Sequence, residues 1–312
     1  MNHLLPEGCY VILHIGAGPS HNEENTEPPL IVTGSSKFAL SDDIWIERLD
    51  EQTAKNIQKA CEPPHFNIGV DEHDQHLYAF IRRVPAVEKR KYEGLEPLFA
   101  VLALSRLVHP TSVGDRYCAN VFHFGLKDSA IQAIQYRGIS PDVILGSKHR
   151  DWLSEDDGET LRKLMPWVSG SKLMHSRVHR AYWNHEYAMR SYYLDMRWTL
   201  VVAGFEALIN VWKKKGDGNK KQFCGRVRLL ADEFKVGLSD VELASAWDLR
   251  SKLAHNESFL YDLAAILPKD QHDVVYEKLE DLLRKTIRRS LLDDSFGNRF
   301  GSDAAVEASW PI

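Results

Sequence analysis

The stretch that decides the fold of the second half of the chain is Trp247-Asp-Leu-Arg-Ser-Lys-Leu-Ala-His-Asn256, together with the residues just before it. Upstream, Ser239-Asp-Val-Glu242 has the spacing of a capping box, in which a serine hydroxyl and a glutamate carboxylate satisfy free N–H groups at the start of a helix. The helix that begins there runs through Trp247 and Leu249 toward His255. The stretch therefore predicts a capped helix that ends near a histidine.

Helical patterns continue on both sides of this stretch. Ser154, followed by three acidic residues, suits the positive end of a helix. A charged loop with two glycines at residues 213–221 interrupts the pattern. We therefore predict an all-α helical bundle over residues 146–292 and a loose C-terminal tail over residues 293–312. The helical segments, apart from the one that begins at Ser239, are 154–168, 173–212, 223–234 and 271–291.

The first part of the chain mixes two kinds of pattern. Residues 41–60 predict an amphipathic helix, because apolar side chains including Ile44 and Ile46 recur at helical intervals. Residues 95–108 predict an apolar helix that Pro110 ends. Short apolar, β-branched segments predict strands at residues 10–15, 29–33, 76–82 and 117–124, and residues 130–136 fit a short helix or a strand. We predict an α+β domain over residues 1–145, interpreted as a sensor or recognition domain of unknown type for an unknown trigger.

Composition narrows the class of protein. The 312 residues are 44% hydrophobic and 27% charged, with a net charge of -5, which excludes disordered and low-complexity chains and suggests two domains. The apolar runs fall short of the roughly 18 residues that a membrane span needs. Four scattered cysteines without CxxC spacing argue against a zinc ribbon or a disulfide framework. We predict a cytoplasmic protein with no membrane partner.

Arg250 and His255 are the residues near the helix end that carry chemistry. Five positions on a regular helix correspond to about 7.5 Å of rise and about 140° of rotation, so the two side chains do not share a face. They would serve one site if the helix ended between them, or if they faced a second protomer across a two-fold axis. The alternative is that both simply suit the negative end of the helix dipole.

Three pieces in order resemble the HEPN family (higher eukaryotes and prokaryotes nucleotide-binding), and more narrowly its Apea-like subgroup. The resemblance covers roughly residues 170–290 and includes an acid, Glu206, where the family has one. Active members often carry Asn, Asp or His after the motif arginine, and this chain has Ser251. The pieces are Asp195-Met-Arg-Trp-Thr-Leu-Val-Val-Ala-Gly-Phe-Glu-Ala-Leu-Ile209, Arg226-Val-Arg-Leu-Leu230 and Leu249-Arg-Ser-Lys-Leu-Ala-His-Asn256.

This resemblance implies a helical bundle that forms a homodimer, or a higher homo-oligomer, in which motifs of two chains meet in one cleft. It implies a metal-independent endoribonuclease, with a role in antiphage defence or as a toxin-like effector. By resemblance, His255 is the acid/base, Arg250 holds the phosphate, Glu206 orients or neutralises Arg250, and Asn256 adds a hydrogen bond. The alternatives are a non-catalytic HEPN module that dimerises or binds a nucleotide or partner, and an unrelated helical interaction domain.

A basic patch lies between Glu206 and the Arg250 motif. Residues 213–235 contain eight lysines and arginines against three acidic residues. Such a patch would guide RNA by neutralising phosphates, although a solvated loop kept soluble by its lysines has the same composition. The residues that we predict to contact RNA, besides Asn256, are Lys213, Lys214, Lys215, Lys220, Lys221 and Arg226.

No cofactor or metal is expected. Asp71-Glu-His-Asp-Gln-His76 reads as a polar turn, and His175 and His179 share a helical face but lack an evident third ligand. The aromatic residues between 182 and 198 have helical spacing, which favours the core and a dimer interface, while stacking on nucleobases is the alternative.

Overall fold

The structure, a computed structural model, describes residues 9–16, 37–61, 78–84, 95–110, 114–122, 130–136, 154–191, 193–211, 218–255 and 263–312. The chain divides into two compact units, Met1–Ser171 and Lys172–Ile312. The first combines strands and helices and the second is helical in its described part, which agrees with the broad layout predicted from the sequence. The predicted strand at residues 29–33 lies outside the described residues.

The first unit contains one antiparallel sheet of six strands in its described part. The strand order is β2-β3-β4-β1-β5-β6, so β1 is central and pairs with β4 and β5. Helix α1 packs on β5 and β6, and α2 contacts β4 and α3. The bounds are β1 (Cys9–Gly16), β2 (Lys37–Ala39), β3 (Ile44–Arg48), α1 (Glu51–Cys61), β4 (Tyr78–Arg83), α2 (Glu96–Val108), β5 (Gly114–Phe122), β6 (Ala130–Tyr136) and α3 (Glu155–Val168).

The prediction of one helix over residues 41–60 was wrong in its first part. Ile44 and Ile46 lie in β3, and the helix begins only at Glu51. The chain pairs on both sides here, with Ile46 opposite Phe38 of β2 and Phe80 of β4. Strand β4 is distant from β3 in the sequence, so the local pattern does not reveal it. Pairing with β4 overrides the local helical spacing of Ile44 and Ile46. The ambiguous segment 130–136 is a strand, paired with β5.

Helix α3 belongs to the first unit, whereas the sequence placed a domain boundary between residues 145 and 146. Arg162 donates from Nε to the carbonyl oxygen of Ala39 at 2.9 Å, and its guanidinium lies 4.5 Å from the centre of the Phe38 ring. A Cβ added at Gly158 would lie 2.9 Å from that ring, so α3 approaches β2 closely. The boundary therefore comes after α3.

The second unit is built around α5. This helix contacts α4, α6, α7 and α8 and buries Trp198, Val202 and Phe205. Gly204 permits the closest approach, because a Cβ at this position would lie 2.6 Å from a methyl group of Leu283 on α8. The bounds are α4 (Ser176–Arg190), α5 (Leu194–Ile209), α6 (Asn219–Phe234), α7 (Asp240–Ala254), α8 (Lys269–Leu292), α9 (Asp294–Asn298) and α10 (Asp303–Ser309).

The predicted loose tail over residues 293–312 is instead folded. It forms α9 and α10 and buries three aromatic rings, Phe296, Phe300 and Trp310. The Phe300 and Trp310 rings stack with centroids 4.9 Å apart. A short segment without a long helical period gives no strong prediction of secondary structure. Its aromatic side chains become buried only when the longer helices offer a surface on which they can pack.

The capping box at the start of α7 is confirmed. Glu242 donates its backbone N–H to the Ser239 hydroxyl at 3.2 Å, and Ser239 donates its own N–H to the Glu242 carboxylate at 2.6 Å. Lys278 of α8 donates to the other carboxylate oxygen at 2.7 Å. Burial alone would raise the pKa of Glu242, but the hydrogen bonds from Lys278 and Ser239 outweigh it and hold this pKa below its usual value.

We expect Ser239→Ala to lower the free energy of unfolding by about 1 kcal/mol at neutral pH, measured by urea unfolding, while Ser239→Asp retains an acceptor and most of the stability.

Glu242 has a folded pKa below its unfolded pKa. Its contribution is therefore complete above the unfolded pKa and disappears as the pH falls through the folded pKa. The difference between wild type and Glu242→Gln should shrink accordingly in acid, and a difference that grew in acid would contradict this account.

Candidate functional site

The site is centred on an ion pair between α5 and α7. Glu206 lies in the last turn of α5 and Arg250 lies near the end of α7. Arg250 donates from Nη2 to Oε2 of Glu206 in a short contact, and the two side chains are 24% and 13% exposed. The structure thus brings together two of the three residues predicted for catalysis, although they are separated by 44 positions in the chain.

Partial burial governs the charge state of Glu206. Desolvation raises the pKa of this carboxyl above its usual value, while the charge of Arg250 and hydrogen bonds from Asn210 and Arg250 oppose that effect. Arg250 is thus the main cationic influence that favours the ionised carboxylate. An anion that drew Arg250 away from Glu206 would also favour protonation of Glu206, because the compensating charge would weaken.

Arg250 retains free donor capacity. A guanidinium has five N–H donors, and the buried Nε of Arg250 has no hydrogen-bond partner among the residues that the structure describes. The guanidinium carbon lies 5.4 Å from the centre of the Trp247 ring, one turn earlier on α7, which restricts where the side chain can point. Glu206 and Trp247 therefore hold the Arg250 side chain, which is 24% exposed, so part of the guanidinium is open to a ligand.

His255 directly follows α7 and is exposed. Helix α7 ends at Ala254, between Arg250 and His255, and the backbone of His255 (φ -92°, ψ 4°) leaves the helical region there. Within the described residues the imidazole makes no hydrogen bond and no ion pair, and Arg250 is not among its partners. One protomer thus presents Arg250 and His255 as separate groups. Asn256 lies outside the described residues.

The structure describes only part of the predicted basic patch. Lys213, Lys214 and Lys215 lie outside the described residues, so their prediction stands untested. Lys220 donates to both carboxylate oxygens of Asp248 at 2.7 Å, and Lys221 is exposed and forms no ion pair within the described part of the chain.

Arg226 occupies a position that does not fit the predicted contact with RNA. It is 1% exposed and donates to the carbonyl oxygens of Ile209 at 2.8 Å and Trp310 at 3.0 Å, and to the side-chain oxygen of Gln222 at 2.6 Å. Its donors are thus used to join the end of α5, α6 and the C-terminal segment. The sequence shows the charge of Arg226 but not the carbonyl groups that distant segments place around it.

Sequence reasoning missed a cleft on the other side of Glu206. It is open, has a volume of about 450 Å³, and is lined by side chains of α4 and α5. The signal was available in the spacing of Arg177, Arg180 and Asn184, which places all three on one face of α4. The lining residues are Arg177, Arg180, Asn184, Ala203, Glu206, Ala207 and Asn210.

The two arginines of the cleft differ. Arg177 donates from Nη1 to carbonyl oxygens at the end of α5, including that of Asn210 at 2.6 Å, and from Nη2 to Asp303. A cation at the C-terminal end of a helix dipole is stabilising, so Arg177 has a structural role. Arg180 is exposed and makes no ion pair with any described residue. Arg180 is thus available for a ligand.

The paired histidines of α4 have partners of their own. His175 Nε2 lies 3.1 Å from the side-chain oxygen of Asn298, and the indole N–H of Trp183 donates to His179 Nε2 at 2.8 Å. In the described ranges, no three residues of the types His, Cys, Asp and Glu lie close enough to hold a metal ion. The polar segment 71–76 lies outside those ranges.

A buried polar network joins α4 to α8. His185 Nε2 lies 2.8 Å from a carboxylate oxygen of Glu280, and Arg284 donates to the same oxygen from Nε at 3.2 Å. All three side chains are buried. Burial, with the charge of Glu280, also raises the pKa of the Tyr276 hydroxyl. The network is closed to solvent and holds the two helices together, so it is not a candidate for binding a polymer.

Comparison of the chain with protein-family models, curated proteins and solved structures returned no match. Among the helices that the structure describes, none combines the length and the apolar character needed to cross a membrane.

Proposed function

We propose that the second unit is an HEPN-like bundle that acts as a metal-independent endoribonuclease in a homodimer or higher homo-oligomer. The observation that supports this best is the ion pair between Glu206 and Arg250. It joins the acid and the arginine that the resemblance singled out, at a partly buried position where the Arg250 side chain is 24% exposed. RNA, a cytoplasmic location and an antiphage or toxin-like role are parts of the same proposal, as is a trigger bound by the first unit.

The chemistry needs no nucleophile from the protein, because RNA carries its own 2′-hydroxyl. The 2′-oxygen forms a bond to phosphorus as the bond from phosphorus to the 5′-oxygen breaks, which leaves a 2′,3′-cyclic phosphate and a 5′-hydroxyl. An imidazole such as that of His255 takes the 2′-hydroxyl proton or gives a proton to the leaving 5′-oxygen. Arg250 binds the phosphate oxygens and stabilises the charge that grows on them.

The lack of a direct interaction between Arg250 and His255 among the described residues of one chain is the reason for proposing two chains per site. Across a two-fold axis, the arginine of one chain would lie near the histidine of the other. His255 is exposed and has no partner in the described part of the chain, which leaves it available for such an arrangement. Light scattering of the purified protein should then give a mass of at least two chains.

Glu206 acts in this proposal as a positioning residue for Arg250. It holds the guanidinium in one place before RNA arrives and partly neutralises it. When a phosphate replaces Glu206 as the partner of Arg250, the Glu206 carboxylate loses the positive charge that stabilises it. Burial already raises the pKa of Glu206, so protonation of the carboxyl at this point lowers the free-energy cost of losing Arg250.

The second candidate is a non-catalytic HEPN module, favoured by Ser251. This residue stands where active members often carry Asn, Asp or His, and it lies on α7 next to the motif arginine. Such a module would bind a nucleotide or partner through the same arginine and would not cleave RNA.

The test is cleavage of labelled tRNA and total RNA in EDTA by the full chain and by its Arg250 variants. We expect Arg250→Ala to lower the cleavage rate about 100-fold, because it removes a donor to the transition-state charge. Arg250→Lys keeps the positive charge but loses the planar guanidinium with its paired donors. Its cleavage rate should lie between those of wild type and Arg250→Ala. Lys163→Ala removes an exposed cation on α3 and should cleave normally.

Wild-type cleavage that stops in EDTA would overturn the metal-independent mechanism. RNA binding without cleavage, with or without a candidate trigger, would favour the non-catalytic module. Equal cleavage by wild type and Arg250→Ala would remove Arg250 from the site.

A further inference from the structure

The outer face of α4 carries a strip of exposed rings, formed by His179, Trp183 and Tyr187. Trp183 and Tyr187 are 39% and 56% exposed, and their rings stack with centroids 5.8 Å apart and an angle of 29° between the planes. Spacing of four residues places all three on one line along the helix. The sequence favoured the core and a dimer interface for the aromatic residues of this part of the chain, and in the single chain these rings face solvent.

Trp183 is held in a defined orientation. Its indole N–H donates to His179 Nε2 at 2.8 Å, and its ring packs edge-on against the buried Tyr182 with centroids 5.3 Å apart. The one polar group of the indole is therefore satisfied while much of the ring stays accessible. An ordered, exposed ring loses little conformational entropy when another flat ring stacks on it.

The charge beside this strip is positive. Arg180 lies three residues before Trp183 and four before Asn184, so it stands between the strip and the cleft that contains Glu206. It is exposed and without an ion pair among the described residues. The only carboxylate of α4, Glu186, is buried. The exposed charges of α4 are thus basic, next to flat aromatic surfaces.

We propose that the α4 strip and Arg180 bind single-stranded RNA, with unpaired bases on Trp183 and Tyr187 and a phosphate on Arg180. The inference rests on the proposed function for the class of ligand and adds the form of the substrate. Exposed aromatic rings bind unpaired bases by stacking, and a neighbouring cation neutralises the backbone between them. Paired bases in a duplex do not offer their faces, so the strip selects unpaired segments. Arg180 directs the strand toward the cleft beside Glu206.

The test measures fluorescence anisotropy of a fluorescein-labelled 12-nucleotide RNA of mixed sequence, and of the same strand in a duplex. The full chain with His255→Ala is used so that the RNA stays intact. We expect Trp183→Leu to weaken binding of the single strand about tenfold, because leucine keeps apolar area but offers no ring. Trp183→Phe keeps a ring and should stay close to wild type. Duplex binding should change little in both.

The role of Arg180 is tested by measuring how the affinity for single-stranded RNA depends on salt concentration. Arg180→Gln should weaken binding and reduce the slope of log affinity against log salt by about 0.7, the value for one phosphate contact of a single strand. Arg180→Lys should keep the slope, and Lys163→Gln, which removes an exposed cation on the first unit, should change neither quantity. Trp183→Leu should leave the slope unchanged, because a base and not a phosphate is lost.

The outcomes separate this inference from the proposed function. Single-strand binding that depends on Trp183, without cleavage by the wild type, supports the strip and counts against the nuclease. Cleavage with binding that is the same for Trp183→Leu and wild type overturns the strip and leaves the nuclease standing. Binding to the single strand no stronger than to the duplex also overturns it. If Trp183→Leu changes only the mass in light scattering, the strip is a contact between two copies of the chain, and the proposal is wrong.

Discussion

His255→Ala is expected to lower the rate of RNA cleavage by roughly 10²–10⁴-fold, the range that a positioned general acid or base contributes. The physical reason is that both proton transfers, from the 2′-hydroxyl and to the 5′-oxygen, would fall to water. The imidazole is exposed and has no partner among the described residues, so its removal should not disturb the fold. Circular dichroism and thermal unfolding of the variant should match those of the wild type.

The matched control is His175→Ala, which removes an exposed histidine from the start of α4. It should cleave RNA at the wild-type rate. The His255→Ala protein should still bind RNA, because the proposed phosphate clamp and the α4 strip remain. Cleavage by His255→Ala at more than about a tenth of the wild-type rate would rule out His255 as the acid or base. A comparison of cell growth under expression of the wild type and of His255→Ala tests the toxin-like role.

The second large effect concerns stability. Trp310→Ala is expected to lower the free energy of unfolding by about 3–5 kcal/mol, the range for removing a fully buried large aromatic side chain. Trp310 is 2% exposed, stacks on Phe300, and has the Arg299 guanidinium 4.2 Å from its ring centre. The loss would be measured by urea unfolding followed by far-ultraviolet circular dichroism.

Trp310→Phe is the informative partner of that variant. The indole N–H of Trp310 makes no hydrogen bond to any described residue, so phenylalanine gives up volume but no polar contact seen in the structure. It should cost clearly less than alanine. Equal losses for both variants would show that the ring does not carry the stability of this segment, and a loss below about 1 kcal/mol for alanine would mean that the C-terminal segment is only loosely attached.

Two arginines, Arg226 and Arg250, show how much of the candidate site can be predicted from the sequence. Arg226 and Arg250 both lie in helical segments that the resemblance singled out, and we predicted both to contact RNA. In the structure Arg226 is enclosed by carbonyl groups from Ile209 and Trp310, while Arg250 stays partly exposed beside Glu206. Charge is a property of one residue, whereas its availability depends on segments that meet only in the folded chain.

The sequence by itself determined features that are encoded over a few neighbouring residues. The capping box that starts α7, the proline that ends α2 and the apolar period of α8 belong to this class, because hydrogen bonds and side-chain spacing within one or two turns decide them. The resemblance also indicated Glu206 as the partner of Arg250, which the geometry then placed in contact.

Only the tertiary structure decided the features that depend on distant partners. Strand pairing turned Ile44 and Ile46 from a helical pattern into β3, and the packing of α3 on Phe38 moved the boundary between the units. Burial of Trp310 turned an unpatterned tail into part of the core. In each case the free energy comes from surfaces that other parts of the chain supply, and these are absent until the chain has folded.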